Sequence, residues 1–258
     1  MRNISLIGIL IVLGILQLSS LQELKISSKK ISVLDVETEE ALNAANLSFL
    51  KRVPIFGFRN LLADWTLLNF VQYFGESETR ELAGYSHAPD FFEIIIDRDP
   101  LFLGAYLYLT NTVSVYAGQP QDSIRLMDQG LQSMAPNLPP RSYFVWRYKG
   151  IDEMLFTGDN TAAQQSFEMA AKWAEQSLGN EAIRNEASYI AQVSQQTAEF
   201  LATDPNSKPA LINGWMSVLN RAIDNHVRKT AIDNIESLGG QVLVAENGQV
   251  TVRYRTDD

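Results

Sequence analysis

Carboxylates are the side chains of this sequence that could carry acid–base chemistry. Asp97, Asp99, Asp152, Glu153 and Asp159 could pair across a groove, one as proton donor and another as proton acceptor. In an acidic, helix-rich chain such residues are more typical of solvated helix faces and helix caps, and we predict those roles for all five. We therefore expect no catalytic residues.

The composition also limits which other catalytic or metal-binding sites the sequence could form. The sequence has no cysteine, which excludes disulfides, thiolate metal ligands and a cysteine nucleophile. Its two histidines, His87 and His226, stand far apart in the chain, so we expect no histidine-based zinc site and no other metal or cofactor. The formal net charge of -9 argues against a nucleic-acid partner, because phosphate contacts need clustered lysine and arginine.

Residues 1–24 are predicted to be a membrane anchor or a signal segment. Ile4–Leu18 is almost wholly apolar, and residues 4–21 approach the roughly 20 residues that span a bilayer. The alternatives are a cleaved signal peptide, for which Leu18-Ser19-Ser20 is a poor cleavage site, and a buried core helix. We favour an uncleaved single span, although Arg2 and the lysines after the span give opposite indications of its orientation.

Residues 25–54 are predicted to form a tether and a short helix. Lys29–Val36 alternates in polarity and is compatible with a short strand or a tether. A helix over Glu37–Phe49 is favoured by apolar residues at helical spacing, and Pro54 disfavours its continuation.

The segment Ile55–Glu76 is predicted to be a heavily buried helix. Its apolar residues, with Trp65 near the middle, cover more than half of the helix circumference. Arg59 and Asp64 are expected to make structural ion pairs or caps with neighbouring elements. A further helix led by Pro89 follows, since proline favours the first helical turn.

Two helix-turn-helix units come next, Leu101–Asn137 and Leu138–Gln176. Gly118 begins the turn of the first unit and Gly158 that of the second, with a spacing of about 40 residues. The second unit carries small and aromatic residues where two antiparallel helices would meet: Gly150, Ala163, Ala170, Trp146 and Phe167.

This series resembles the tetratricopeptide repeat, which is marked by an aromatic residue, a glycine four positions later and a subsequent Ala-Phe-Ala series. The resemblance implies an all-α, TPR-like solenoid of helical hairpins over residues 55–237, in which the first helix of each repeat lines a concave groove. Carried over by position, it implies these partner-binding residues: Tyr108, Thr112, Tyr116, Phe144, Arg147, Ile151 and Met154. Tyr108, Tyr116 and Phe144 could instead be ordinary inter-repeat core, and for these three both roles stay open.

A second resemblance concerns Gly57-Phe58-Arg59 and Leu62-Ala63-Asp64-Trp65. These segments are similar to the opening of a group of bacterial membrane-anchored repeat proteins. The resemblance implies an N-terminal membrane helix with the body of the protein on the extracytoplasmic side, periplasmic or lumenal.

The C-terminal part is predicted to hold two helices and a hairpin. The first helix covers Asn180–Thr203, and the second begins near Ser207 and could run on to Ile235, so that the two form a third repeat or a capping pair. Residues 238–258 are predicted to be a β-hairpin, since Asn247-Gly248 favours a two-residue turn. We expect this hairpin to pack on the preceding helix rather than on a partner.

These patterns predict a non-catalytic protein-binding scaffold, an assembly factor or accessory subunit of a membrane protein complex, photosynthetic or cell-envelope in kind. One alternative is an extracytoplasmic helical enzyme or solute-binding domain acting on a polymer. Another is a subunit whose helix around Trp65 is buried against a second chain. A deep cleft with converging carboxylates would favour the enzyme, whereas a concave face with tyrosine and arginine would favour the scaffold.

Overall fold

Helices make up most of the chain, and a small antiparallel sheet closes it. The computed structural model describes residues 33–54, 57–220, 222, 225–244 and 250–254, and within these it contains eleven α-helices and two strands. The elements are α1 Val33–Arg52, α2 Arg59–Gly75, α3 Ser77–Ala83, α4 Ala88–Arg98, α5 Leu103–Leu109, α6 Pro120–Leu131, α7 Tyr143–Asp152, α8 Asn160–Gln176, α9 Arg184–Thr203, α10 Lys208–Leu219, α11 Asn225–Ser237, β1 Gly240–Val244 and β2 Val250–Tyr254.

Helix α4 is the centre of the N-terminal part. Its apolar residues are buried on every side, because α2 packs along it and α1 and α6 also contact it. The side chain of Arg80 in α3 is fully buried, where it bonds Glu40 of α1 and lies 4.0 Å from the ring centre of Tyr73. Arg59 donates to the backbone oxygens of Asp97 and Arg98, which confirms the predicted structural role of that arginine as a cap on the end of α4.

The prediction for residues 25–54, a tether and a short helix, is correct only in part. It begins at Val33, four residues earlier than predicted, so the strand alternative for Lys29–Val36 is wrong over residues 33–36. The residues that predicted the helix by their spacing lie on its exposed side, whereas Leu47 and Leu50 are buried. Helical periodicity therefore identified the helix but not the face that packs.

Helix α2 was predicted to be heavily buried, and this is wrong for one of its two faces. Ala63, Thr66, Phe70 and Tyr73 face the core, while Trp65 and its apolar neighbours on the opposite face are exposed. In the described part of the chain, no element covers that face.

The two predicted helix-turn-helix units form helical hairpins with repeat-like packing. In the first unit α5 continues into a π-helical turn, Thr110–Tyr116, before α6, and in the second α7 continues into another, Glu153–Thr157, before α8. The turn glycines Gly118 and Gly158 have φ angles of 67° and 70°, a left-handed conformation that favours glycine. Both hairpins thus reverse direction by the same device.

Glycines within the helices make room for aromatic side chains of the paired helix. A Cβ atom on Gly150 would lie 3.2 Å from the Phe167 ring, which is buried between α7 and α8 as predicted. A Cβ atom on Gly130 would lie 1.9 Å from the hydroxyl oxygen of Tyr106, so the buried Tyr106 side chain of α5 reaches α6 at a position that has no side chain.

The C-terminal elements confirm the hairpin and correct one helix. Strands β1 and β2 pair antiparallel with Val242 opposite Val252, and Gly240 approaches the side chain of Ile235 in α11, so the hairpin packs on the preceding helix as predicted. The helix predicted from Ser207 towards Ile235 is two helices, because α10 ends at Leu219 and α11 begins at Asn225.

The membrane prediction falls on residues 4–21, which lie outside the described residues. Within the described ranges no helix combines the length and the apolar character needed to cross a membrane.

Candidate functional site

Arg147 lies at the point where three helices of the C-terminal half meet. Its guanidinium donates to the hydroxyl oxygens of Ser194 in α9 and Ser217 in α10, each at 3.1 Å, and its side chain comes from the middle of α7. The carbon of the guanidinium is 5.7 Å from the ring centre of Phe167, within the range of a cation–π contact. Only 7% of Arg147 is exposed, so the packed helices hold it in one position.

The exposed edge of Arg147 opens into a groove of about 340 Å³, here called the Arg147 groove. Residues from α7, α9, α10 and β2 line it: Arg147, Tyr189, Val193, Gln196, Thr197, Ile212, Asn213, Met216, Ser217, Asn220 and Val252. Amide and hydroxyl groups dominate this surface, and no carboxylate is among the described lining residues. The groove therefore offers hydrogen-bond donors, acceptors and one fixed positive charge.

The predicted binding residues do not come together on one surface. Among the seven, Arg147 is the one that borders the groove. Thr112, Phe144, Ile151 and Met154 are buried. For Phe144 this is the core alternative that the sequence left open, whereas for the other three only the groove was predicted.

The two predicted tyrosines lie elsewhere in the fold. Tyr108 is exposed on α5, away from the groove lining. Tyr116 is half-buried in a cluster of rings with Phe74, Tyr85 and His226, at centre-to-centre distances of 4.8 to 5.0 Å. Tyr116 therefore joins the N-terminal part to the exposed His226 at the start of α11.

The sequence reading missed most of the groove. Tyr189 and Gln196 are on α9, Asn213 is on α10 and Asn220 directly follows α10, in the part of the chain predicted to be a third repeat or a capping pair. Each pair is separated by about seven residues, which places both members on one helix face. Polar side chains repeated every seven residues along two consecutive helical segments were the sequence signal that could have predicted this groove.

Asp152 is fully buried and was wrongly predicted to be solvated. Its Oδ2 accepts hydrogen bonds of 2.6 Å from Ser114 and from Ser123. Burial raises the pKa of Asp152 to about 6, even though both serine hydroxyl groups favour the ionised form. Ser114 belongs to the first π-helical turn and Asp152 directly precedes the second, so the two repeat-like hairpins are joined through this carboxylate.

Glu153 is also buried, contrary to the prediction of a solvated face. Its carboxylate accepts from Ser166 at 2.6 Å and pairs with Lys149 at 2.8 Å. By contrast, Asp159 accepts from the backbone nitrogen of Ala162 at 3.0 Å as the N-cap of α8, which agrees with the prediction of a solvated face or a helix cap. These carboxylates hold helices in place, and none of them lines the Arg147 groove.

The described residues define a helical protein with repeat-like packing and a polar groove. They include no group of three or more histidine, aspartate or glutamate side chains arranged to hold a metal ion. Comparisons with protein-family models, with curated proteins and with solved structures found no match. Function is therefore inferred from the geometry of the chain itself.

Proposed function

We propose that this chain is a non-catalytic scaffold that binds a protein partner in the Arg147 groove. The observation that carries the proposal is the arginine itself, held by Ser194 and Ser217 at the floor of a groove walled by amides. A guanidinium fixed in one orientation suits a carboxylate or a backbone carbonyl of a bound polypeptide.

A TPR-like solenoid is the architecture that we infer for the scaffold. Two hairpins reverse at left-handed glycines with a spacing of about 40 residues, and Gly150 lets α7 and α8 approach around Phe167. Such hairpins present an extended face to a partner, which is how helical repeat proteins bind. In this chain the groove lies beside the last hairpin, where α9, α10 and the β-hairpin add walls to α7.

Groove chemistry favours the scaffold over an enzyme acting on a polymer. The described lining contains Tyr189 and Arg147 and lacks a pair of carboxylates that could share acid and base roles. Asp152, whose pKa is raised towards neutrality, has no exposed surface and cannot touch a bound molecule.

The proposed setting is a membrane. Residues 4–21 would anchor the chain, with the body on the extracytoplasmic side, and the partner would be a membrane protein complex of the photosynthetic or cell-envelope kind. An anchor raises the effective concentration of the groove near membrane partners, so a modest groove affinity would suffice.

The test compares crosslinked partners recovered from native membranes in mild detergent. Gln196→Arg adds bulk and charge inside the groove, and Gln192→Arg makes the same change at an exposed position outside the groove lining on the same helix. We expect a defined complex with wild type and with Gln192→Arg, and its loss with Gln196→Arg. Recovery of the same complex with both variants would place binding elsewhere, and absence of any stoichiometric partner would contradict the scaffold.

A further inference from the structure

Helix α2 is apolar on two opposite faces, and the described residues leave one of them uncovered. Phe58, Leu61, Trp65 and Leu68 are 67%, 64%, 58% and 59% exposed, and their spacing of three and four residues aligns them in one stripe. The opposite face is the one that packs on α4. Large apolar side chains aligned over several turns are typical of a surface that contacts another phase or molecule.

Helix α1 carries a similar stripe on its outer side. Leu34, Leu42 and Phe49 are 71%, 65% and 65% exposed, and Thr38 lies between them with its hydroxyl group donated to the backbone oxygen of Leu34. Asp35 lies at the start of this line, seven residues before Leu42, and the line is uncharged from Thr38 to Phe49. Two consecutive helices therefore show apolar outer stripes, with Asp35 at the far end of one and Asp64 at the edge of the other.

Phe49 near the end of α1 and Phe58 just before α2 are the stripe residues next to the connection between the two helices. We call this region the elbow and define it by Phe49, Phe58, Leu61 and Trp65. The sequence from Val53 to Phe58 is uncharged, and basic residues stand on both sides of it, Lys51 and Arg52 before and Arg59 after.

Arg59 is fixed at the elbow by its bonds to the backbone oxygens of Asp97 and Arg98, at 2.6 and 3.2 Å. Arg59 directly follows Phe58 in the chain and is exposed, as Arg52 also is. An apolar tip between exposed arginines matches the order of groups across a lipid surface, acyl chains inside and phosphates outside.

We propose that the elbow rests on the lipid bilayer, with Phe58, Leu61 and Trp65 in the boundary between headgroups and acyl chains and with Arg52 and Arg59 at the phosphates. Tryptophan and phenylalanine favour that boundary. This inference rests on the proposed membrane setting, in which residues 4–21 hold the chain at the bilayer.

Chain length permits the arrangement. Residues 22–32 reach at most about 40 Å when extended, and α1 adds about 30 Å. The elbow can therefore reach the same membrane surface that the anchor leaves. A second copy is a poorer occupant, because pairing elbow to elbow would bring Arg52 and Arg59 towards the same arginines of the other chain, whereas lipid phosphates neutralise them.

The absence of cysteine allows a direct test with the full chain. Leu61→Cys places one fluorescent label on the elbow, and Leu82→Cys places it on another exposed leucine. Leu82 is in α3, which contacts the distant half of α1 through Glu39 and Glu40. Each labelled chain is reconstituted in phosphatidylcholine vesicles with or without lipids that carry a quencher near the headgroup.

We expect the quencher lipid to reduce fluorescence at residue 61 at least threefold more than at residue 82. Equal quenching at both positions would overturn the elbow as the contact. A label at residue 61 that the quencher lipid does not quench would also overturn it. Iodide added to the water would then quench the label if the elbow is exposed to solvent, but not if protein covers it. Failure of the chain to float with vesicles would overturn the membrane setting as well, whereas a floating chain with an unquenched elbow would refute the elbow alone.

Discussion

Replacement of Asp152 by asparagine tests the buried carboxylate that joins the two hairpins. Burial raises the pKa of Asp152 from its ordinary value of 3.8 to about 6 in the folded chain. This difference in pKa corresponds to about 3 kcal/mol, by which the free energy of unfolding is lowered when Asp152 is ionised in both states. Asparagine keeps the shape and can still accept from Ser114 and Ser123, but it does not ionise.

The sign of the pH dependence follows from proton binding. Between about pH 4 and pH 6 the folded state holds a proton on Asp152 that the unfolded state has lost, so the free energy of unfolding decreases as the pH rises. Below pH 3.8 both states are protonated and this contribution is absent. Above pH 6 both are ionised and the full cost of about 3 kcal/mol is present.

The assay is urea unfolding of wild type and Asp152→Asn at pH 4.5 and pH 7.5, followed by tryptophan fluorescence and far-ultraviolet circular dichroism. The comparison cancels the other carboxyl groups, which both proteins share. We expect the variant to gain stability relative to wild type by about 2 kcal/mol between the two pH values, since part of the cost is already present at pH 4.5. The urea slopes should remain equal.

A pH-independent difference between the two proteins would refute the reasoning, because a carboxyl group with an ordinary pKa contributes nothing that varies with pH. Ser123→Ala provides an internal control. Removing a hydrogen bond to the ionised carboxylate should cost about 1.5 to 3 kcal/mol at pH 7.5 and less at pH 4.5, where the folded Asp152 is mostly protonated.

Two further predictions concern packing and a buried ion pair. Gly130→Ala should lower the free energy of unfolding by about 1 to 3 kcal/mol, since its Cβ atom would overlap Tyr106, while Gly179→Ala, which has open space, should not. Equal melting temperatures of the two variants would contradict the packing of the Tyr106 side chain over Gly130. Arg80→Ala should cost about 2 to 5 kcal/mol because it empties the space of a fully buried side chain and removes its pairing with Glu40 and its contact with Tyr73, whereas Arg228→Ala on an exposed position should stay within about 0.5 kcal/mol. A small effect of Arg80→Ala in denaturant unfolding would show that this pair does not hold α1 and α3 together.

Local chemistry made much of the fold predictable. The turn at Gly158 and the cap by Asp159 depend on residues next to each other in the chain, and both were confirmed. The hairpin between β1 and β2 was predicted from Asn247-Gly248 and alternating valines, and its register places Val242 opposite Val252. Short-range geometry needs no knowledge of the rest of the molecule.

Burial was harder to predict, because it depends on what packs against each face. Trp65 and Phe70 lie on the same apolar helix, yet one is exposed and the other is buried against α4. Asp152 and Asp159 have the same side chain, yet one is enclosed by serines from another hairpin and the other caps a helix in solvent. Hydrophobicity and charge do not distinguish these cases.

The sequence by itself determined the helical class, the positions of two hairpins, the C-terminal strands and a charge balance unsuited to nucleic acid. Periodicity and turn residues depend only on neighbouring positions, and net charge depends only on composition. Only the tertiary structure decided that Arg147 meets α9 and α10, which supply Ser194 and Ser217 from far along the chain. It also decided that the outer face of α2 stays open. A groove forms where elements from distant parts of the chain meet, and a stripe stays exposed where no such element covers it. No local sequence pattern encodes either arrangement.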